Sequence, residues 1–590
     1  MKKQLLALLL SSASAFSAQA ATMTVRLIAF NDFHGNLMSP GNFAGKPAGG
    51  ADYLAGYVAK LKKDNPNNVV VGAGDLIGAS PLGSALLHDE ASIEVLNRIG
   101  LEFSAVGNHE FDEGFAELLR MQNGGCSFAD PANSCKGAQV GTPVPFEGAK
   151  FRYLAANVVF NATGKTLFAP FAIKSFKDAA SGKSVRVGFI GLTLKDTPSI
   201  VTPSGVAGLR FDEESATINA LVPKLRAQGV EAIVVLLHQG TNAAASDING
   251  CASGAGTEPL RSIVAKLDDH VDMVVSGHSH LSYNCRFPNL AGRNIPVTQA
   301  SAFGRVLTQA DLTLDVATGD VLGVYASNIV VDRSDASIQP IAQIADIMAK
   351  YNALVAPLAN VVIGSITQDL PNSGDEMPAG DLIADAQLDA TRAPAPGAAQ
   401  IALMNRGGVR SPGFVFNQSS GGEVAGDVTY GEAFTVQPFG NILQTLTLTA
   451  QQLKDVLEQQ FAGCQLPGEP MQTTDRIMQI SKGLRYSWSA SVPASSCSRI
   501  TTISFNGAPL YGAGGFVAPY TAATPLQVTV NNFMASGGDG FSVLTHGLNP
   551  IGGGQDLDAL VSYLANFKAP HAPYSPSDPA LQTPRITKLP

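Results

Sequence analysis

Five short apolar runs of strand character each give out at a histidine, aspartate or asparagine beside a glycine. No other feature constrains the fold of this chain as much. Residues 23–30 end at Asn31-Asp32-Phe33-His34-Gly35, and 68–72 at Ala73-Gly74-Asp75. Residues 103–106 lead to Gly107-Asn108-His109-Glu110-Phe111-Asp112, and 232–237 to His238-Gln239-Gly240. The last run, 271–275, passes through Ser276-Gly277 to His278-Ser279-His280. One histidine at a strand end is more often structural than a ligand. Five, with Asp32, Asp75 and Asn108 in equivalent places, make chance a poor account. The other four of the nine histidines, His88, His270, His546 and His571, lack this setting and read as surface or structural. Asp32 and His34, two apart on an extended segment, would face one side and share one ion. Imidazole, carboxylate and amide oxygen without thiolate suit two divalent ions such as Zn, Mn or Co.

The runs alternate with helical patterns at 50–63 and at 89–99, the latter stopped by Gly100, and a further strand is expected at 185–192. This alternation predicts a layered α/β (α+β) fold. A chain of 590 residues exceeds one core and should divide into domains. Ile341, Ile344, Ile347, Met348, Tyr351, Leu354 and Val355 recur at helical spacing within 334–357, which reads as a linking helix. Beyond it, helices are expected at 380–391, 449–461 and 556–564, and strands at 444–448, 500–505 and 526–530. The proline-rich stretch 569–590 reads as extended along the surface. The expected boundaries are 1–20, 21–335, 336–360 and 361–590.

Lys2 and Lys3, the apolar run 5–10 and Ala18-Gln19-Ala20 read as a secretory signal cleaved near Ala20. The expectation is an exported protein, periplasmic or extracellular. No later segment approaches the roughly 20 apolar residues of a membrane span, so no stable membrane insertion is expected. Six cysteines agree with an oxidising compartment. Many pairings are possible, and the expected one joins sequential neighbours: Cys126 with Cys135, Cys251 with Cys285, and Cys464 with Cys497. A net charge of −9 argues against a nucleic-acid polymer as partner.

The ordered series Asp-X-His, Gly-Asp, Gly-Asn-His-Glu, a strand-end His and Gly-His-X-His resembles the motifs of calcineurin-like metallophosphoesterases. With the second region included, the chain resembles the secreted bacterial 5′-nucleotidase and UDP-sugar hydrolase family. The resemblance implies a four-layer α/β/β/α catalytic domain and a mixed α/β substrate-binding domain. It implies one metal held by Asp32, His34, Asp75 and His280, and a second by Asp75, Asn108, His238 and His278. His109, oriented by Asp112, would stabilise developing charge or protonate a leaving group. Many family nucleotidases carry Gln or Asn at the position of His280.

In the second region, Asn405-Arg406-Gly407-Gly408-Val409-Arg410 suits an anionic or polar ligand. It resembles the family block in which Asn405 and Arg410 would hold a nucleotide. By the same resemblance Phe439 and Phe533 would sandwich the base and Asp539 would reach the ribose hydroxyls. The expected substrate is thus a small-molecule nucleoside 5′-monophosphate, hydrolysed to nucleoside and phosphate, with hydrolysis of UDP-sugars, NAD or 2′,3′-cyclic nucleotides as alternatives on the same scaffold. A nucleotide-binding surface protein without turnover is a remoter one. The family usually carries a further arginine just before the helix at 380–391. Here 372–378 is acidic and has none, so Arg406 is a candidate replacement. Oligomeric state is not legible.

Overall fold

The computed structural model describes residues 21–590 apart from 202, 242–244, 396, 420 and 582. The expected signal segment 1–20 lies outside the described residues.

Two six-stranded sheets face each other in the first half. The first runs Val321–Val330, Val306–Asp315, Thr22–Phe30, Asn68–Ala73, Phe103–Ala105, Arg152–Leu154. The second runs Ser282–Pro288, Asn294–Ala300, Met273–Ser276, Ala232–His238, Ser184–Thr193, Phe171–Lys177. Val25, Leu27, Val69 and Val71 from one sheet meet Val187, Phe189, Val234, Leu236 and Val275 from the other in a dry central layer. Opposite faces of the same strands are covered by helices, so these runs are apolar on both sides. Ala51–Asp64 and Glu90–Ile99 cover the first sheet, and Glu214–Arg226 and Leu260–Val264 the second. This is the expected α/β/β/α layering.

The strands that carry the polar blocks run parallel to one another within each sheet. Their carboxyl ends therefore open on one side of the sandwich, where ligands bind in open α/β sheets. Beyond the motif blocks, Asn294–Ala300 still runs parallel to Met273–Ser276, while Ser282–Pro288, Val306–Asp315 and Val321–Val330 add antiparallel pairings.

The helix expected to link the halves spans Ala342–Ala359, and Pro357 sits in its last turn. Ile344, Ile347, Met348, Tyr351 and Val355 are buried in the core of the first half. Its flank also meets the helix Tyr430–Val436 of the second half. That half has a five-stranded sheet in the order Gln479–Ile480, Ile401–Met404, Pro525–Asn531, Ile442–Thr449, Leu548–Gln555. A second sheet centres on Ile500–Phe505, and Pro378–Thr391 packs against Asp556–Leu564.

One expectation is corrected here. The stretch 569–590 does not merely run over the surface. Ile586–Leu589 joins Leu484–Ser489 as a parallel edge strand, and Tyr574 and Arg585 are fully buried. Arg585 lies 2.8 Å from Asp385 and 3.6 Å from Asp381, with further donations to the Leu581 and Ile480 carbonyls. Such partners are what a buried guanidinium requires. The three disulfides join the expected neighbours, Cys126–Cys135, Cys251–Cys285 and Cys464–Cys497.

Candidate active site

The strand ends bring the seven expected ligands into two adjoining groups. Asp32, His34 and His280 form one, and Asp75, His238 and His278 the other. Asn108 completes the second, its Oδ1 lying 3.1 Å from His238 Nε2 and 3.0 Å from His278 Nδ1. Asp75 Oδ2 is 3.1 Å from His238 Nε2 and 3.6 Å from His34 Nε2, which places it between the groups.

The approach of Asp32 to His34 differs from the expected strand alternation. Asp32, His34, Asp75, His278 and His280 all hold positive φ, between 46° and 74°. Each of these five ligands is thus presented by a left-handed turn beyond the strand. Such strain concentrates at functional sites and persists only where the surroundings over-determine it. Two glycines let the turns close together. A Cβ on Gly107 would land on the Asp75 carboxylate, and one on Gly277 would come 2.6 Å from the Ala73 carbonyl oxygen.

The donor set fits divalent cations. His34 Nδ1–H donates to the Gly78 carbonyl (2.8 Å) and His238 Nδ1–H to the Ala73 carbonyl (2.7 Å). These bonds leave each Nε2 as the ligating atom, the usual way a carbonyl orients a metal-bound imidazole. His34 Nε2 then faces His280 Nε2 at 3.0 Å. Two lone pairs at that distance repel unless a cation or proton lies between them. Burial pushes the rings of His34 and His278 down to about 3, and His280 well below its usual value, which keeps them neutral as ligands must be. His238 differs: against its burial, the Asp75 charge pushes its ring up to about 9.

Beside these groups, His109 Nδ1 lies 2.9 Å from Asp112 Oδ2, and its backbone N–H donates to Asp75 Oδ1 at 2.8 Å. Burial alone would lower this ring, but the Asp112 and Asp75 charges outweigh it and raise its pKa. Phe439 of the second half stacks on His109, with centroids 5.8 Å apart and planes 15° from parallel. The Arg410 guanidinium lies 5.7 Å from the Phe439 ring centre, and its charge is among those that keep His34 and His280 neutral. The turn Gly538–Gly540 also meets Thr197–Ser199 of the first half. The second half is therefore closed over the histidine cluster.

The remaining expected pocket residues have distinct settings. Asn405 Nδ2–H donates to Asp539 Oδ2 at 2.7 Å, and both side chains are buried. Gly408 is buried where a Cβ would strike the Met404 methyl. The Phe533 ring covers Gly538 and is half-buried against the domain core. Arg406 donates to the Gly374 carbonyl at an exposed position.

Two residues were not singled out as site residues in the sequence. The buried Glu110 carboxylate accepts the backbone N–H groups of Asp75 (2.9 Å), Leu76 (2.7 Å) and Gly107 (2.5 Å). It thereby fixes the loop that carries Asp75, and its place in the Asn-His-Glu block was the available signal. Arg476 pairs with Asp539 at 2.8 Å, with no local pattern to mark it.

Residues 25–282 match the calcineurin-like phosphoesterase family, and residues 362–546 match the 5′-nucleotidase C-terminal domain. The chain belongs to the calcineurin-like phosphoesterases that carry a 5′-nucleotidase C-terminal domain. These are metal-dependent phosphoester hydrolases. The solved 5′-nucleotidase precursor of Thermus thermophilus superposes with a TM-score of 0.73 at 26% identity, covering 96% of this chain and 99% of that one. The 5′-nucleotidase of Mus musculus is 25% identical over 93% of this chain and 89% of its own length. Endonuclease YhcR of Bacillus subtilis is 28% identical over 93% of this chain, but the chain spans only 40% of that relative's length.

Proposed function

We propose that this calcineurin-like phosphoesterase hydrolyses nucleoside 5′-monophosphates to nucleoside and inorganic phosphate. The observation that carries the reading is the closure of Phe439 and Arg410 over His109 and the metal-ligand cluster. It joins an aromatic face and a cation, suited to a nucleotide, to the groups suited to its phosphate. Asp32, His34, Asp75 and His280 would hold one divalent cation, and Asp75, Asn108, His238 and His278 the other. When bound, such a pair neutralises phosphoryl charge and activates water for attack on phosphorus.

The chain's own groups do the rest. Arg410 offsets charge on the substrate phosphate. His109, held by Asp112, presents Nε2 to the oxygen on which charge develops as the P–O bond breaks, and stabilises or protonates it. Phe439 and Phe533 offer faces for the base. Asp539, fixed by Asn405, accepts from the ribose hydroxyls. The second half carries substrate to the cations by rotating, with the linking helix as the hinge region.

A second reading is a broader nucleotide phosphoesterase acting on UDP-sugars, NAD or 2′,3′-cyclic nucleotides. The stretch before Pro378–Thr391 favours it, because 372–378 is acidic and holds no arginine to meet a 5′-phosphate. Phosphate release from a panel of these substrates separates the two. The main reading expects 5′-monophosphates to have the highest kcat/KM, and preference for any other class would refute it.

We further infer export. Three disulfides are typical of oxidising compartments. Among the described residues, no helix is long and apolar enough to cross a membrane. Periplasmic fractionation of cells expressing the full chain tests this, and a fully cytoplasmic, reduced protein would refute it.

A further inference from the structure

Arg476 belongs to no motif block, yet the fold fixes it beside the residue expected to read the ribose. Its segment is tied down at several points. The Arg476 N–H donates to the Gln460 carbonyl at 2.7 Å, and Met478 N–H to Gln460 Oε1 at 2.8 Å. Gln472 Nε2 bridges the carbonyls of Gln459 (2.8 Å) and Asp539 (3.0 Å). The disulfide Cys464–Cys497 anchors the start of the segment. Such a scaffold exceeds what an ordinary surface arginine requires.

The guanidinium is only partly committed. Nη1 lies 2.8 Å from Asp539 Oδ1, and Nε is buried without a hydrogen-bond partner. The side chain is 21% exposed, and that of Asp539 is 5%. Asp539 Oδ2 already accepts from Asn405. The pair thus sets a carboxylate acceptor beside planar cationic donors, with a guanidinium carrying five N–H groups and few of them spent. Arg406 is tied instead to Gly374 at the surface.

We infer that Arg476 is a specificity-determining residue of the nucleotide pocket. Together with Asp539 it reads the ribose 2′,3′-diol. Asp539 accepts from the hydroxyls and Arg476 donates to a hydroxyl oxygen, an arrangement that favours ribonucleotides over 2′-deoxyribonucleotides. This inference rests on the 5′-nucleotide reading above.

The test compares AMP, dAMP and p-nitrophenyl phosphate for the wild type, Arg476→Ala and Arg476→Lys, with thermal midpoints recorded alongside. In Arg476→Ala, kcat/KM for AMP relative to the aryl phosphate should fall about tenfold to a hundredfold, mostly through KM, the range expected for one charge-assisted hydrogen bond. The AMP-to-dAMP ratio should fall with it. Arg476→Lys keeps the charge but not the planar fork and should lose less in the same direction. Ratios within twofold of wild type in both variants would overturn the inference. So would a parallel fall for all three substrates, which would mark Arg476 as purely structural. A wild type that cleaves the aryl phosphate but neither nucleotide would instead refute the parent reading, and that is visible before any variant is made.

Discussion

At the scale of single residues, Glu110 makes the least obvious contribution. Its carboxylate is the common acceptor for three backbone N–H groups around Asp75. Glu110→Ala leaves those buried donors without a partner. A loss of about 3 kcal/mol is expected from the usual cost of unsatisfied buried groups. The Asp75 loop should loosen with it, so the variant should bind fewer metal equivalents by elemental analysis and melt earlier. Full metal occupancy would contradict the role.

His88 supplies a pH signature outside the two metal-ligand groups. Its hydrogen bond to Glu113, 2.6 Å long, pushes the ring up to about 9. A histidine raised above its unfolded value, about 6.5, contributes stability that is complete below that pH and is lost as pH rises through about 9. The pair is partly open to solvent, so the effect should be about 1 kcal/mol or less. Denaturant midpoints at pH 6 and 9.5 should converge for Glu113→Gln relative to the parent. An unchanged difference would contradict the assignment.

The ligand residues were legible because a two-cation site needs a fixed roster of donors, and strand ends followed by glycine announced them. How Asp32 and His34 meet was not. Positive φ at a non-glycine residue is imposed by packing around it and leaves no trace in local propensity. Arg476 was invisible for a related reason, since its partner Asp539 is brought to it only by the fold.

At the scale of elements, periodicity and stop signals marked Ala51–Asp64 and Glu90–Ile99, where Gly100 takes φ +83° as the helix ends. The C-terminal stretch resisted reading because its proline content suggests surface coil. Its burial depends instead on Arg585 meeting Asp385 and Asp381 about two hundred residues earlier in the chain. Arg585→Ala strands two buried carboxyl groups and should cost about 3–5 kcal/mol. The loss should fall on the second half, while the first half keeps its bound metal. Calorimetry should show one transition moving down in temperature and the other staying, whereas a single unshifted transition would contradict this account of the tail.

At the scale of the whole molecule, the closed arrangement is itself a mechanistic claim. The turns Thr197–Ser199 and Gly538–Gly540 meet across the two halves. An engineered disulfide across them would hold the pocket shut. If substrate entry requires the second half to rotate, turnover should fall about tenfold or more when the bridge is formed, and recover when it alone is opened. Unchanged turnover in the bridged protein would remove the rotation from the account.

The central claim is that two divalent cations, held by the seven strand-end ligands, support release of phosphate from a nucleoside 5′-monophosphate. Its most direct measurement is phosphate release from AMP by chelated protein titrated with a single divalent metal. The account predicts negligible release without metal and activity that saturates near two equivalents per chain, with Asp75→Asn inactive throughout. Full activity in the chelated protein, or saturation at one equivalent, would contradict it.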